Sequence, residues 1–577
     1  MENLKNILWL CLAGLLLAAL PAAAGQIVVS TPSFALVLDA PVGGELRYLY
    51  YGTGLSEDDL RQMNVAGTCH HVAYPSYGIG WPGESALRVR HADGVIATRL
   101  YVQDVEVRQE PDAVLTLVKL KDCVYPFYVN LCYKAYRDVD VIETWTEFSH
   151  SEKTPVTLLQ FASSYLPLRR GDVWLSSLYG GWGNEARLLQ EPLKPGIRLI
   201  KNIDGVRNSH TAHAEVMFSL DGKPQENTGR TIGAALCYTG DYRLKINTDD
   251  GDYHHFFAGM DEEGASFRLK KGEVFRTPPL ALTYSEEGLG GASRNFHKWG
   301  RNHKLANGDK LRKILLNSWE GVYFDINQKD MEQMMADIAL MGGELFVMDD
   351  GWFGDKHPRD IDNAGLGDWV VNTRSELYEK HPDWVMKVPG QDFITARGGT
   401  QAVLDLTNPQ VRDFIFYTVD TLLARYPEIE YIKWDANMPV LNHGSVHLDK
   451  DEQSHLSILY HQGFEDVCRR IRRKYPDVTI QACASGGGRV NYGYLPYFDE
   501  FWTSDNTDAL QRIYIQWGTS YFFPAIAMGA HISAAPNHQT HRSLPLKYRI
   551  DVAMSGRLGM EIQPRNMTDE EKNLCRE

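Results

Sequence analysis

The run YIKWD at residues 431–435 is a short apolar strand pattern that stops on a carboxylate. Two other stretches share its form, LFVMDD at 345–350 and FWTSD at 501–505. Each ends on Asp, and the sequence between them is long enough for crossover helices. A β/α barrel brings acids to the mouth formed by its strand C-termini in this way. Successive strand side chains face opposite ways, so Lys433 and Asp435 share one face while Ile432 and Trp434 share the other. An inward Asp435 therefore has an ammonium neighbour, which favours its ionised form. The pattern reads as a carboxylate-driven hydrolase.

Working outward, ILLNSW (314–319), TIQACASGG (479–487), AIAMGAHIS (525–533) and GMEI (559–562) bring the strand count to seven. An eight-stranded barrel needs one more, and QAVLDL (401–406), just before a helix start at Asn408-Pro409, is the remaining candidate. In FDINQKDMEQMMADIALMGG (324–343), Asp330, Met334, Ile338 and Met341 keep helical spacing until Gly342-Gly343 end the run. Before about residue 293 the pattern changes. Runs such as AVLTLVKL (113–120) and VIETWTEF (141–148), punctuated by Gly, Asp and Pro, predict a large antiparallel β domain with the form of a sandwich.

The 577 residues exceed what one hydrophobic core organises, so two or more domains are expected. A net charge of −15 excludes nucleic acid as a natural partner and fits a neutral substrate. After Lys5, the apolar run 7–20, Pro21 and the small residues 22–25 predict a secretory leader cut near Ala24. An uncleaved anchor is the alternative. With the leader removed, the chain is expected to be exported and free of membrane. Eight cysteines without CxxC spacing, seven of them beyond residue 25, indicate buried free thiols rather than a disulfide framework.

The motifs NSWEGVYFDIN (317–327), LFVMDDGWFG (345–354), GDWVVN (367–372), YIKWDAN (431–437), QACASGGGRVNYG (481–493), FWTSDNTDALQRIYIQWGTS (501–520) and MGAHISAAPNHQT (528–540) resemble, in order, those of glycoside hydrolase family 36, the bacterial α-galactosidases. YGIGWPGESALRV (77–89) and YGGWGNE (179–185) are similar more loosely to the family's N-terminal β-supersandwich. After the leader (1–25), the resemblance implies a β-supersandwich (26–293) and a (β/α)8-type TIM barrel (294–577). It also implies a retaining, exo-acting mechanism on terminal α-D-galactosyl groups of oligosaccharides, with no metal and no cofactor, in a chain that is a candidate homo-oligomer. It assigns Asp435 as nucleophile and Asp505 as general acid, then base. A second carboxyl beside a charged Asp435 is pushed to hold its proton, which suits that second role. At the sugar the resemblance places Trp182, Asp349, Asp350, Arg397, Lys433, Asn437, Cys483 and Gly486. Adjacent residues such as Asp349 and Asp350 can both serve one site only where the strand turns into its loop, and Gly351 permits the turn.

Three departures stand out. Trp81 replaces an acid in the N-terminal motif. GDWVVN runs directly into TRSELYEKHPDWV (373–385), where the family carries a further βα unit, so the barrel is expected to stay open between LFVMDD and YIKWD unless QAVLDL fills the place. The chain also ends at Glu577, where the family continues into a C-terminal β domain, so that domain is expected to be absent. The rival readings are a carbohydrate-binding pseudoenzyme or inactive fragment, and an α-N-acetylgalactosaminidase or galactosyl-transferring relative. CASGGGR lacks the order of a phosphate loop. His538, His541 and Cys69-His70-His71 lack further spaced ligands, so a metal site is not expected.

Overall fold

The computed structural model describes residues 25–63, 72–168, 170–353, 358–362, 370–372, 375–392, 394–395 and 401–577. The leader, Cys69-His70-His71 and Arg397 lie outside these residues. The first half is antiparallel β, as the alternating runs require. Its largest sheet has ten strands, among them Ala113–Asp122, Phe127–Tyr136 and Ile142–His150 paired in sequence order. A four-stranded sheet containing His254–Met260 lies against it. Phe218 of the large sheet meets Phe256 of the small one with ring centroids 5.0 Å apart, so the two inner faces share one core. Helix Gly288–Trp299 leads out of this domain, and Trp299, fully buried, stacks its ring near Tyr492 of the second half.

The second half is built on seven parallel strands: β1 (Leu315–Asn317), β2 (Leu345–Val347), β3 (Tyr431–Trp434), β4 (Thr479–Ala482), β5 (Glu500–Trp502), β6 (Met528–Ser533) and β7 (Arg557–Glu561). All seven lie within or overlap the runs read from sequence. Their order is β2-β1-β7-β6-β5-β4-β3, with β1 paired to β7 through Leu315↔Gly559 and Leu316↔Met560. First and last strands thus close on each other as in a TIM barrel, while β2 and β3 remain as two edges. Among the described residues no strand joins them. QAVLDL does not take the eighth place: Gln401–Val403 pairs antiparallel with Val370–Asn372 in a separate two-stranded sheet. Leu404 bridges Val385, and Leu404 and Leu406 are buried against the helical layer. Its apolar content finds a core without a parallel neighbour.

Helix Gln328–Leu340 shows how the crossovers form. Asn327 caps it by accepting the Asp330 amide, and Gly342, at φ +88°, reverses the chain after it. Met334, Ile338 and Met341 are buried, with Met331 at the N-terminal end of that face. Asp330 is turned instead to Arg565, whose Nη1 donates at 2.9 Å. Helix Pro409–Arg425 starts where Asn408-Pro409 indicated, the Asn408 side chain accepting the Gln410 amide at 2.9 Å. The six described cysteines are all free, four of them buried.

Candidate active site

The period-2 reading of YIKWD holds. Trp434 is buried among the helices, with its ring edge-on to Phe498, and Ile432 packs there too. Tyr431, Lys433 and Asp435 face the barrel interior. Low in the barrel the Tyr431 hydroxyl donates to Glu500 at 2.8 Å, and Glu500 also receives Arg557 Nε at 2.8 Å and Gln481 Nε2 at 2.9 Å. One layer up, Lys433 Nζ donates to Asp349 Oδ2 at 2.6 Å, and Asn317 Nδ2 reaches the same oxygen at 2.6 Å. Burial alone would raise the Asp349 carboxyl, but Lys433 and Asn317 hold it below the ordinary aspartate range. Burial would likewise lower the Lys433 ammonium, which Asp349 drives well above the lysine value instead. Two charges are thereby fixed as charges.

At the rim, Asp435 accepts the Ala436 amide at 2.9 Å, Asn437 Nδ2 at 2.8 Å and the Ser485 amide at 3.3 Å. These donors orient the carboxylate. Asp505 receives indole N–H groups from Trp182 at 2.8 Å and from Trp502 at 3.2 Å. Its carboxyl is raised by burial and by the nearby charge of Asp435, against the pull of the Trp182 indole and of Lys433. The two carboxyl groups, at the ends of β3 and β5, thus differ in surroundings: Asp435 is held by three donors, and Asp505 is biased toward keeping its proton.

Of the remaining residues expected at the site, all but Arg397 are among the described residues. The backbone turns at Gly351, φ +109°, where a Cβ would sit 3.2 Å from Phe324 Cα, so Asp349 and Asp350 diverge. Asp350 is gripped by Arg359, whose Nε donates to Oδ1 at 2.9 Å and Nη2 to Oδ2 at 2.6 Å. Cys483 is buried beside Asp435 with its thiol pushed well above the ordinary value, first by burial and then by that carboxylate. Gly486 has φ +79°, and a Cβ there would lie 2.5 Å from the Asp505 amide nitrogen. The approach this glycine permits is to the backbone of the acid itself. Trp182 is 62% exposed, so it is no packing residue; it comes from the β domain to touch Asp505. Trp81 lies away from the rim contacts, its ring against His255 and Tyr165 of the β domain.

Several neighbours escaped the sequence reading. Glu561, pushed up to about 8 by burial against the pull of Lys433, lies 2.9 Å from His531 Nδ1 under the site. Arg512 is buried with its guanidinium 4.4 Å from the Trp502 ring centroid, and it donates to the Ser504 carbonyl at 3.0 Å. Arg359 and Glu185 also belong here. Their partners are fixed by folding alone, and no spacing rule marks them. His538 contacts the Tyr323 hydroxyl, and no group of metal-ligating side chains assembles among the described residues.

Comparison with known proteins agrees with this geometry. The family model described as Melibiase matches residues 274–375 and 370–577, and the glycosyl hydrolase family 36 N-terminal domain matches residues 44–270. The chain belongs to glycoside hydrolase family 36. Alpha-galactosidase C of Emericella nidulans is 33% identical over 86% of this chain and 72% of its own length. Alpha-galactosidase AgaA of Geobacillus stearothermophilus is 34% identical over 82% of this chain and 68% of its own. The crystal structure of family 36 alpha-galactosidase AgaB from the same organism superimposes with a TM-score of 0.90 at 29% identity, covering 96% of this chain and 84% of that one. The Melibiase model matches in two segments that overlap at residues 370–375.

Proposed function

We propose that this chain is a retaining, exo-acting α-galactosidase, with Asp435 as nucleophile and Asp505 as acid and then base. The observation that carries the reading is the contrast between the surroundings of the two rim carboxyls. Asp435 sits among hydrogen-bond donors, whereas Asp505 is biased toward its protonated form by burial and by Asp435. In the first step the Asp435 carboxylate attacks the anomeric carbon while Asp505 gives its proton to the leaving oxygen. In the second, Asp505 takes a proton from water, which releases the sugar with its configuration kept. Asp349 and Asp350, anchored by Lys433 and Arg359, are acceptors for hydroxyls of a neutral sugar.

Relatives support this assignment. Variants of the Geobacillus stearothermophilus enzyme AgaA, each with an aspartate replaced, have been solved with stachyose and with raffinose. The aspartates replaced in those two variants stand as far apart in that sequence as Asp435 and Asp505 do here. The test is release of nitrophenol from a nitrophenyl α-galactoside by the purified chain, with the first-formed anomer followed by NMR. A β-galactose product first would defeat retention. That no strand among the described residues joins β2 to β3 favours a second reading, a carbohydrate-binding protein without turnover. Saturable galactoside binding with no nitrophenol release would establish it. The apolar leader makes the protein exported, and a mature N-terminus near Gly25, read by mass spectrometry, checks that.

A further inference from the structure

The loop 180–186, between strands Trp174–Tyr179 and Arg187–Pro192 of the β domain, does more than present Trp182. It fastens onto the segment that carries Asp505 at three points. Trp182 donates to Asp505 Oδ2 at 2.8 Å, and Asn506 Nδ2 donates to the Gly183 carbonyl at 2.9 Å. Between them, Glu185 Oε2 accepts the Ser504 hydroxyl at 2.5 Å and Oε1 accepts the Gly487 amide at 3.4 Å. Glu185 is 1% exposed. The Ser504 hydroxyl oxygen in turn accepts the Asn506 amide at 3.0 Å, so one carboxylate organises the residues on both sides of Asp505. Gly486, with no Cβ, lets the loop it shares with Gly487 lie against both Glu185 and the Asp505 amide.

We infer that Glu185 is a positioning residue for the acid–base Asp505, holding the Ser504–Asn506 segment and the Trp182 indole in the arrangement that protonates the leaving group. The inference rests on the reading of Asp505 given above. Space filling does not account for a carboxylate here, because a buried negative charge beside Asp505 is costly and a glutamine fills the same volume. The groups facing Glu185 are His210, with Nε2 at 3.9 Å, Ser504, Asp505 and the buried Arg512, whose positive charge it feels. Burial pushes the Glu185 carboxyl up to about 7, against the pull of the Ser504 hydroxyl.

The test is Glu185→Gln in the full chain, with two readouts. The first is the ratio of kcat/KM for a nitrophenyl α-galactoside to that for a simple alkyl α-galactoside, which needs protonation to depart. Misplacing the acid raises this ratio about tenfold with KM little changed, whereas a merely structural loss lowers both substrates alike. The second is the indole N–H resonance of Trp182, assigned by its disappearance in Trp182→Phe. It should move toward the position of an unbonded indole in Glu185→Gln. An unchanged substrate ratio together with an unmoved resonance overturns the inference. If the parent chain turns over no α-galactoside, the functional reading falls instead, and the indole resonance alone decides the positioning role.

Discussion

Lys433→Met probes the ion pair that spans the open side of the barrel. Lys433 lies on β3 and Asp349 follows β2, so their 2.6 Å contact joins the two edges that no described strand joins. Both side chains are only 11% exposed. Removing one partner of such a pair leaves the other charge buried, a loss of about 3–5 kcal/mol, far above the 0–1 kcal/mol of an exposed pair. At roughly 2–4 °C per kcal/mol, the melting temperature of the barrel should fall on the order of 10 °C. The pH dependence should change sign as well. In the parent the Asp349 carboxyl is depressed, so its contribution is present above the ordinary aspartate pKa and lost as pH falls through the folded value. Without the ammonium, burial dominates and the folded state holds the proton more tightly than the unfolded one. Stability then decreases as pH rises above the ordinary aspartate range. Lys433→Met combined with Asp349→Asn should recover at least half of the loss. Denaturant unfolding at pH 4.5 and 7.5 measures all three quantities. A single-variant loss below about 1 kcal/mol, or equal losses at both pH values with additive doubles, refutes the reasoning.

Asp435→Ala should abolish turnover, and azide should restore part of it by forming a galactosyl azide of inverted configuration, identified by NMR. Asp505→Ala should spare nitrophenyl galactosides far more than alkyl galactosides, a difference read from kcat/KM on the two. Because the Trp182 indole lowers the Asp505 carboxyl, Trp182→Phe should move the alkaline limb of the kcat/KM profile to higher pH; a limb that stays put or moves down contradicts the contact. Arg359→Gln frees Asp350 from its guanidinium contacts and should raise KM about tenfold, with kcat less affected, in steady-state kinetics.

What the sequence made legible was local. Seven strands could be read because each overlaps a short apolar run, and Asp435 and Asp505 could be singled out because the barrel topology sends strand ends to one rim. The facing of Lys433 followed from the strand period alone. QAVLDL could not be placed in advance because a run of buried apolar residues carries no information about its partner, and here the partner is antiparallel and outside the barrel. Asp330 kept the spacing of the buried helix face but sits in the first turn, where an acid is stabilised facing outward, and Met331 takes its place. Glu185 and Ser504 are separated by 319 positions, so their hydrogen bond belongs to the docking of two domains. Trp182 was read as a site residue only through family resemblance, and its bond to Asp505 has the same tertiary origin.

A closed barrel behaves as a hoop, in which a displacement at one strand is resisted all the way round. Among the described residues no strand pairs β2 with β3, so the ladder is interrupted there, and its two lips carry Asp349 on one side and Asp435 on the other. The Lys433–Asp349 pair works as a rivet near the rim, while the Lys313–Glu430 pair lies at the solvent-exposed foot of the same opening. The separation of Asp349 from Asp435 then depends on charge and on ionic strength, where an intact ladder would set it by backbone geometry. Salt and pH become mechanical variables of the active site.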